Sequence, residues 1–181
     1  LYRKLLLLWS HGITRDPDLM EKSPDGPWYY QQIDLGYNYR MTDIQAALGY
    51  SQLRRINDFI ERRRYLAERY RRFLADLPVI TPWEDPDCKS AFHLYVIRLK
   101  LDRLNKTHRQ VFEELRQAGI MVNLHYIPVH TQPYYQKLGF KQGDFPEAER
   151  YYREAISLPM YYGLSDAEQD YVIGKLREIL V

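Results

Sequence analysis

Gly36-Tyr37-Asn38-Tyr39-Arg40-Met41-Thr42-Asp43-Ile44-Gln45-Ala46-Ala47-Leu48 crowds polar and aromatic groups at the entrance to a helix. Thr42 and Gln45 stand at capping-box spacing, and Ile44, Ala47 and Leu48 recur on one apolar face, so the spacing predicts a helix that begins near Asp43. Free amide hydrogens at that entrance and the positive end of the helix dipole would favour a phosphate or carboxylate. Asn38 and Arg40, just upstream, add a neutral donor and a guanidinium fork. On spacing alone the plainer alternative, a capped helix beside a solvated loop, carries more weight.

The chain of 181 residues is 45% hydrophobic and 28% charged, enough to bury one core, as one domain or one domain with an attached helix. Its 26 Lys plus Arg against 24 Asp plus Glu leave a net charge of +2, which argues against a polyanion partner such as nucleic acid. The single cysteine, Cys88, excludes an internal disulfide framework and fits a reducing compartment. Leu5-Leu6-Leu7-Leu8-Trp9 is too short to cross a bilayer and no small-residue cleavage site follows it; it reads as a buried helix end, and the chain as cytoplasmic.

From Asp16 to Leu35, prolines and a glycine without periodicity predict a long loop whose Trp28, Tyr29 and Tyr30 want a partner or cleft to lie against. A long helical region follows from Asp43 to Leu77, bent near Gly49, with Leu53, Ile56, Ile60, Leu66, Tyr70, Phe73 and Leu77 as a core stripe. The arginines at 54, 55, 62, 63, 64, 69, 71 and 72 are interleaved with Asp58, Glu61, Glu68 and Asp76, which reads as a solvated face. Ala91–Leu99 reads as a strand, Thr107 with Gln110 opens a helix that Gly119 ends, and Ile120–Tyr126 reads as a second strand stopped by Pro128. In that second strand Ile120, Val122, Leu124 and Tyr126 take one face; Met121, Asn123 and His125 take the other. A tyrosine-rich turn from Pro133 to Leu138, a helix from Pro146 to Ile156 and a final helix opened by Ser165 with Glu168 complete an α+β, two-layer α/β arrangement in which the two strands share a sheet.

No nucleophile, base and orienter can be read from spacing. His93, His125 and His130 come nearest to a constellation, but the separation of His125 from His130 across Pro128 fits no metal-ligand pattern, and each histidine alone is more often structural than catalytic. Among 17 tyrosines, Tyr126, Tyr134 and Tyr135 group in sequence with His125 and His130, where phenol rings could line a cleft for a base or a sugar.

The Gly36–Leu48 phrase, together with Ser10-His11-Gly12-Ile13-Thr14-Arg15-Asp16-Pro17 before it and Val122-Asn123-Leu124-His125-Tyr126-Ile127-Pro128-Val129-His130 and Ser157-Leu158-Pro159-Met160 after it, resembles the DegT/DnrJ/EryC1/StrS sugar aminotransferases over nearly the whole chain. The resemblance implies a pyridoxal-phosphate enzyme of fold type I. Residues 1–50 would be the end of its large domain, the cofactor-phosphate loop and the start of a linking helix; residues 51–181 would be its small C-terminal domain. It implies that Asn38 reaches across a homodimer to the neighbouring subunit's pyridoxal 5'-phosphate, with Arg40 helping to hold the phosphate region. His125 and Tyr126, with Tyr37 and Tyr39, would face a nucleotide-sugar substrate.

It further implies amination of a UDP-linked 4-keto-6-deoxy sugar, with glutamate as donor, on a route to pseudaminic acid. The lysine that carries the cofactor has no counterpart here, since Lys4 lies in the phrase that follows the family's glycine-rich strand. That lysine is expected upstream of Leu1, leaving this segment inactive alone. The rival expectation is a non-catalytic nucleotide-sugar-binding or oligomerisation domain derived from such an enzyme.

Overall fold

The Thr42 hydroxyl accepts the Gln45 amide hydrogen while Gln45 Oε1 accepts that of Thr42, so the capping box forms and the helix starts at Asp43. The structure is a computed structural model that describes residues 1–181. The chain divides into two units, Leu1–Arg55 and Ile56–Val181.

In the first unit, helix α1 (Tyr2–Leu8), the antiparallel pair β1 (Ile13–Thr14) and β2 (Gln31–Gln32), and helix α2 (Asp43–Leu53) are joined by turns. Two glycines make the joint. Gly12 sits at φ +70, and a Cβ there would come within 1.9 Å of the Asp34 carbonyl oxygen. At Gly36 a Cβ would lie 2.2 Å from the Gly12 nitrogen. This close approach lets the His11 amide donate to the Tyr37 carbonyl at 2.8 Å, the Tyr37 amide to Leu8 at 2.7 Å and the Tyr39 amide to Trp9 at 2.9 Å.

Only Gly12 and Thr14 are buried in this unit. The Leu5–Trp9 run is therefore not a buried helix end: Leu5, Leu6 and Trp9 are exposed, as are Ile44 and Leu48 on α2. Two-residue strands offer no sheet face on which these side chains could pack. Trp28 and Tyr30, expected to find a surface, are also exposed within the unit.

The second unit comprises α3 (Ile56–Phe73), β3 (Val79–Ile80), β4 (Tyr95–Leu99), α4 (His108–Gln117), α5 (Pro133–Lys137), α6 (Pro146–Glu154), β5 (Ala155–Leu158) and α7 (Asp166–Leu180). Its sheet is antiparallel in the order β3-β4-β5. Leu66, Tyr70 and Leu74, Val111 and Leu115 of α4, and Val172 and Leu176 of α7 join Ile97, Leu99 and Ile156 of the sheet in one apolar cluster. The expected mixed helix-and-sheet class holds, and the boxes at Thr107–Gln110 and Ser165–Glu168 both form.

Several boundaries differ from the sequence reading. The long helix runs through Gly49 and breaks at Arg54–Arg55, since a helical glycine costs only about 1 kcal/mol and need not bend the backbone. Of the proposed stripe, Leu66, Tyr70 and Leu77 are core, whereas Leu53, Ile56 and Phe73 are exposed. The strand begins at Tyr95 rather than Ala91 because Phe92 has φ +45 and Arg63 takes the Phe92 and His93 carbonyls as acceptors. Ile120–Tyr126 makes no strand. Ile120 and Val122 are buried and Met121 exposed as the alternation requires, but backbone pairing occurs at Asn123 alone, opposite Ser157, and Tyr126 is exposed. The second long strand is instead β5, whose Ala155 and Ile156, expected at a helix end, pair with Arg98 and Ile97.

The arginines of α3 do more than face solvent. Arg62 donates to Asp166 and the Leu164 carbonyl, Arg69 to Gln169, Asp166 and Asp170, and Arg64 to the two carboxylate oxygens of Glu84 through Nη1 and Nη2. These side chains are partly buried and tie α3 to α7 and to the segment after β3. No helix is long and apolar enough to cross a membrane.

Candidate functional site

The residues singled out in the sequence fall in both units, and each group has its own geometry. In the first, Asn38 pairs through its backbone with Ser10, and its carboxamide is exposed with no partner in the protein. Arg40 Nη1 donates to Ser10 Oγ at 3.2 Å, leaving the rest of the guanidinium open. Tyr37 and Tyr39 stack with centroids 4.9 Å apart and rings 13° from parallel, both exposed. The four residues are thus brought together by the backbone bonds that the Gly12–Gly36 approach permits.

The end of α2 contributes less than its spacing suggested. Its capping box occupies the Thr42 and Gln45 amides, and the Asp43 carboxylate in the first turn opposes a second negative charge. An anion here would be met by Asn38, the free part of Arg40 and the Ser10 hydroxyl. That donor set suits a phosphate such as the one on pyridoxal phosphate.

In the second unit, His125 Nδ1 lies 2.7 Å from Ser157 Oγ, and its ring meets Tyr126 edge to face with centroids 4.6 Å apart. His125 is half-buried, Tyr126 is exposed and Ser157 is buried. His130 belongs elsewhere. It is buried against Glu149 at 2.8 Å, with the Gly143 amide donating to the same carboxylate oxygen at 2.6 Å and the Phe145 ring 4.8 Å away. The hydrogen bonds from His130 and from the Gly143 amide hold the Glu149 carboxyl below the usual carboxylate range.

Tyr134 and Tyr135 meet each other edge to face, and Tyr135 faces Phe140. The expected grouping of Tyr126, Tyr134 and Tyr135 with His125 and His130 forms only in part: His130 and Tyr135 line one apolar cavity with Phe140 and Phe145, while His125 and Tyr126 stand apart beside Ser157 on β5. No three His, Cys, Asp or Glu side chains are placed to share a metal ion. Ser157, the hydrogen-bond partner of His125, was not singled out in the sequence; its signal was a lone hydroxyl in an otherwise apolar buried strand, Ala155-Ile156-Ser157-Leu158.

The DegT/DnrJ/EryC1/StrS aminotransferase family model matches residues 1–177, and the chain belongs to that family. The spore coat polysaccharide biosynthesis protein SpsC of Bacillus subtilis is 38% identical over 180 residues, covering 98% of this chain and 46% of SpsC. PseC of Helicobacter pylori, an aminotransferase involved in the biosynthesis of pseudoaminic acid, superposes with a TM-score of 0.84 at 27% identity, covering 99% of this chain and 46% of PseC. Spr1654 of Streptococcus pneumoniae, assigned as a sugar aminotransferase, has a PLP form that superposes with a TM-score of 0.84 at 29% identity, covering 98% of this chain and 43% of that one. The chain therefore spans about half the length of these relatives.

Proposed function

We propose that this chain is part of a pyridoxal-phosphate-dependent aminotransferase that moves an amino group, with glutamate as donor, to the 4-keto carbon of a UDP-linked 4-keto-6-deoxy sugar. The particular reaction we favour yields UDP-4-amino-4,6-dideoxy-N-acetyl-β-L-altrosamine, an intermediate of pseudaminic acid synthesis, in the cytoplasm. The cofactor supplies an electron sink that permits exchange of amine for ketone. This chain's residues bind and orient. Asn38, backed by Arg40 on Ser10, donates to the cofactor phosphate of a second copy in a homodimer. His125 and Tyr126 face the nucleotide sugar, and the Tyr37–Tyr39 stack offers a flat surface beside Asn38 for it. Residues 1–50 would be the end of the large domain and 51–181 the small C-terminal domain.

The observation that carries the proposal is the exposed, unpartnered Asn38 carboxamide, on a backbone that pairs with Ser10, the residue whose hydroxyl accepts from Arg40. No lysine of this chain fits the cofactor-bearing role, so the 181 residues mixed with pyridoxal phosphate should not transaminate. Absorbance titration and an amino-transfer assay test this directly. In the full-length protein, Asn38→Ala should weaken cofactor retention and His125→Ala should impair use of the sugar; unchanged behaviour of both would leave a purely structural module.

A further inference from the structure

We infer that Ser157 is a positioning residue that holds neutral His125 with its proton on Nε2, so that the ring presents an outward N–H donor to an acceptor oxygen of the substrate. This rests on the assignment of His125 to the substrate side. Ser157 is 4% exposed and sits between β4, where it pairs with Val96, and Asn123, with which it exchanges backbone hydrogen bonds of 2.7 and 3.2 Å. The strand's backbone is thus fixed on both sides, and the hydroxyl with it.

The hydroxyl makes one hydrogen bond, to His125 Nδ1 at 2.7 Å. A buried O–H left without an acceptor costs its full desolvation, whereas an oxygen lone pair left unused costs less. With Nδ1 as the sole acceptor within reach, the serine hydrogen points at it. Nδ1 then carries the lone pair and Nε2 the proton. The Tyr126 ring stands perpendicular to the imidazole, with centroids 4.6 Å apart. Such a donor recognises a sugar hydroxyl, a keto oxygen or a pyrophosphate oxygen.

Long-range proton–nitrogen correlation spectra of the ¹⁵N-histidine-labelled chain read the tautomer directly, with His125→Gln used to assign the signal. The expected result is Nε2–H for His125, retained in Ser157→Thr, which keeps the hydroxyl, and replaced by a mixture in Ser157→Ala. Nδ1–H in the unsubstituted chain, or a tautomer indifferent to loss of the hydroxyl, overturns the inference and leaves the proposed reaction standing. In the full-length enzyme, Ser157→Ala should raise KM for the sugar nucleotide about three- to tenfold and leave the half-reaction with the amino donor unchanged, with Ser157→Thr restoring KM. An unchanged KM in Ser157→Ala, or a Ser157→Thr that behaves like Ser157→Ala, overturns the positioning role. If the enzyme does not aminate sugars at all, the reaction proposal fails and the spectra still decide the tautomer.

Discussion

Leu1–Arg55 and Ile56–Val181 hold their candidate site residues in place by different physics. In the second unit, β5 is buried along its whole length and carries Ser157 into contact with His125, so packing fixes the group. In the first, only Gly12 and Thr14 are buried, and the Asn38 region is held by backbone bonds across a joint that two glycines allow to close. A site can therefore be geometrically defined without a core beneath it. The two should differ sharply in how they respond to substitution.

The largest contrast should come from apolar truncation. Leu66→Ala, in the fully buried face of α3, is expected to cost about 2–5 kcal/mol in denaturant unfolding, whereas Ile44→Ala on exposed α2 should stay within about 0.5 kcal/mol. Equal losses would mean that the first unit has a core of its own.

Gln169 comes next. It is fully buried, donates to the Leu66 carbonyl at 2.8 Å and accepts from Arg69 at 2.8 Å, so Gln169→Ala strands both partners and should cost about 1–3 kcal/mol by the same measurement.

The capping boxes sharpen the comparison further because they are alike in chemistry. Ser165→Ala, which removes the cap of packed α7, should lower global stability by about 1 kcal/mol; Thr42→Ala should leave it unchanged and only speed amide exchange along α2.

Acidification should give the gentlest effect. Glu149 has its folded pKa lowered by the His130 and Gly143 hydrogen bonds. The unfolded state therefore takes up the proton first as pH falls. The stabilisation is fully present above the ordinary carboxylate value of about 4.3 and is lost as pH drops through the lower folded value. Glu149→Gln should make that acid limb shallower in a pH series of unfolding curves.

These differences also explain what the sequence disclosed. The helix starts at Asp43, His108 and Asp166 were legible because a Ser or Thr followed three residues later by Gln or Glu is a local code. The sheet was harder. β5 follows Glu154 with no turn residue between helix and strand, and its pairing with β4 depends on residues more than fifty positions away. The Ile120–Val122 alternation was real, yet backbone pairing stops at Asn123 because nothing continues the ladder. At the candidate site, Tyr37 to Arg40 could be found from one phrase, while the Ser157 partner of His125 lay in a different phrase with no spacing rule to join them. Burial of the α1 and α2 apolar faces was expected from pattern alone, which records that a face is apolar but not what covers it.

Asn38 is proposed to serve the cofactor held by the neighbouring subunit of the full-length protein, and subunit complementation of that protein is the sharpest test. One subunit would lack the cofactor-bearing lysine and the other would carry Asn38→Ala, with the two purified together as a heterodimer. If Asn38 acts across the dimer, the lysine of one subunit and the Asn38 of the other meet in a single intact site, and about half of the wild-type transamination returns on the stoichiometry of one site in two. If Asn38 acts within its own subunit, neither site is complete. Activity no higher than that of the two parent homodimers would contradict the account.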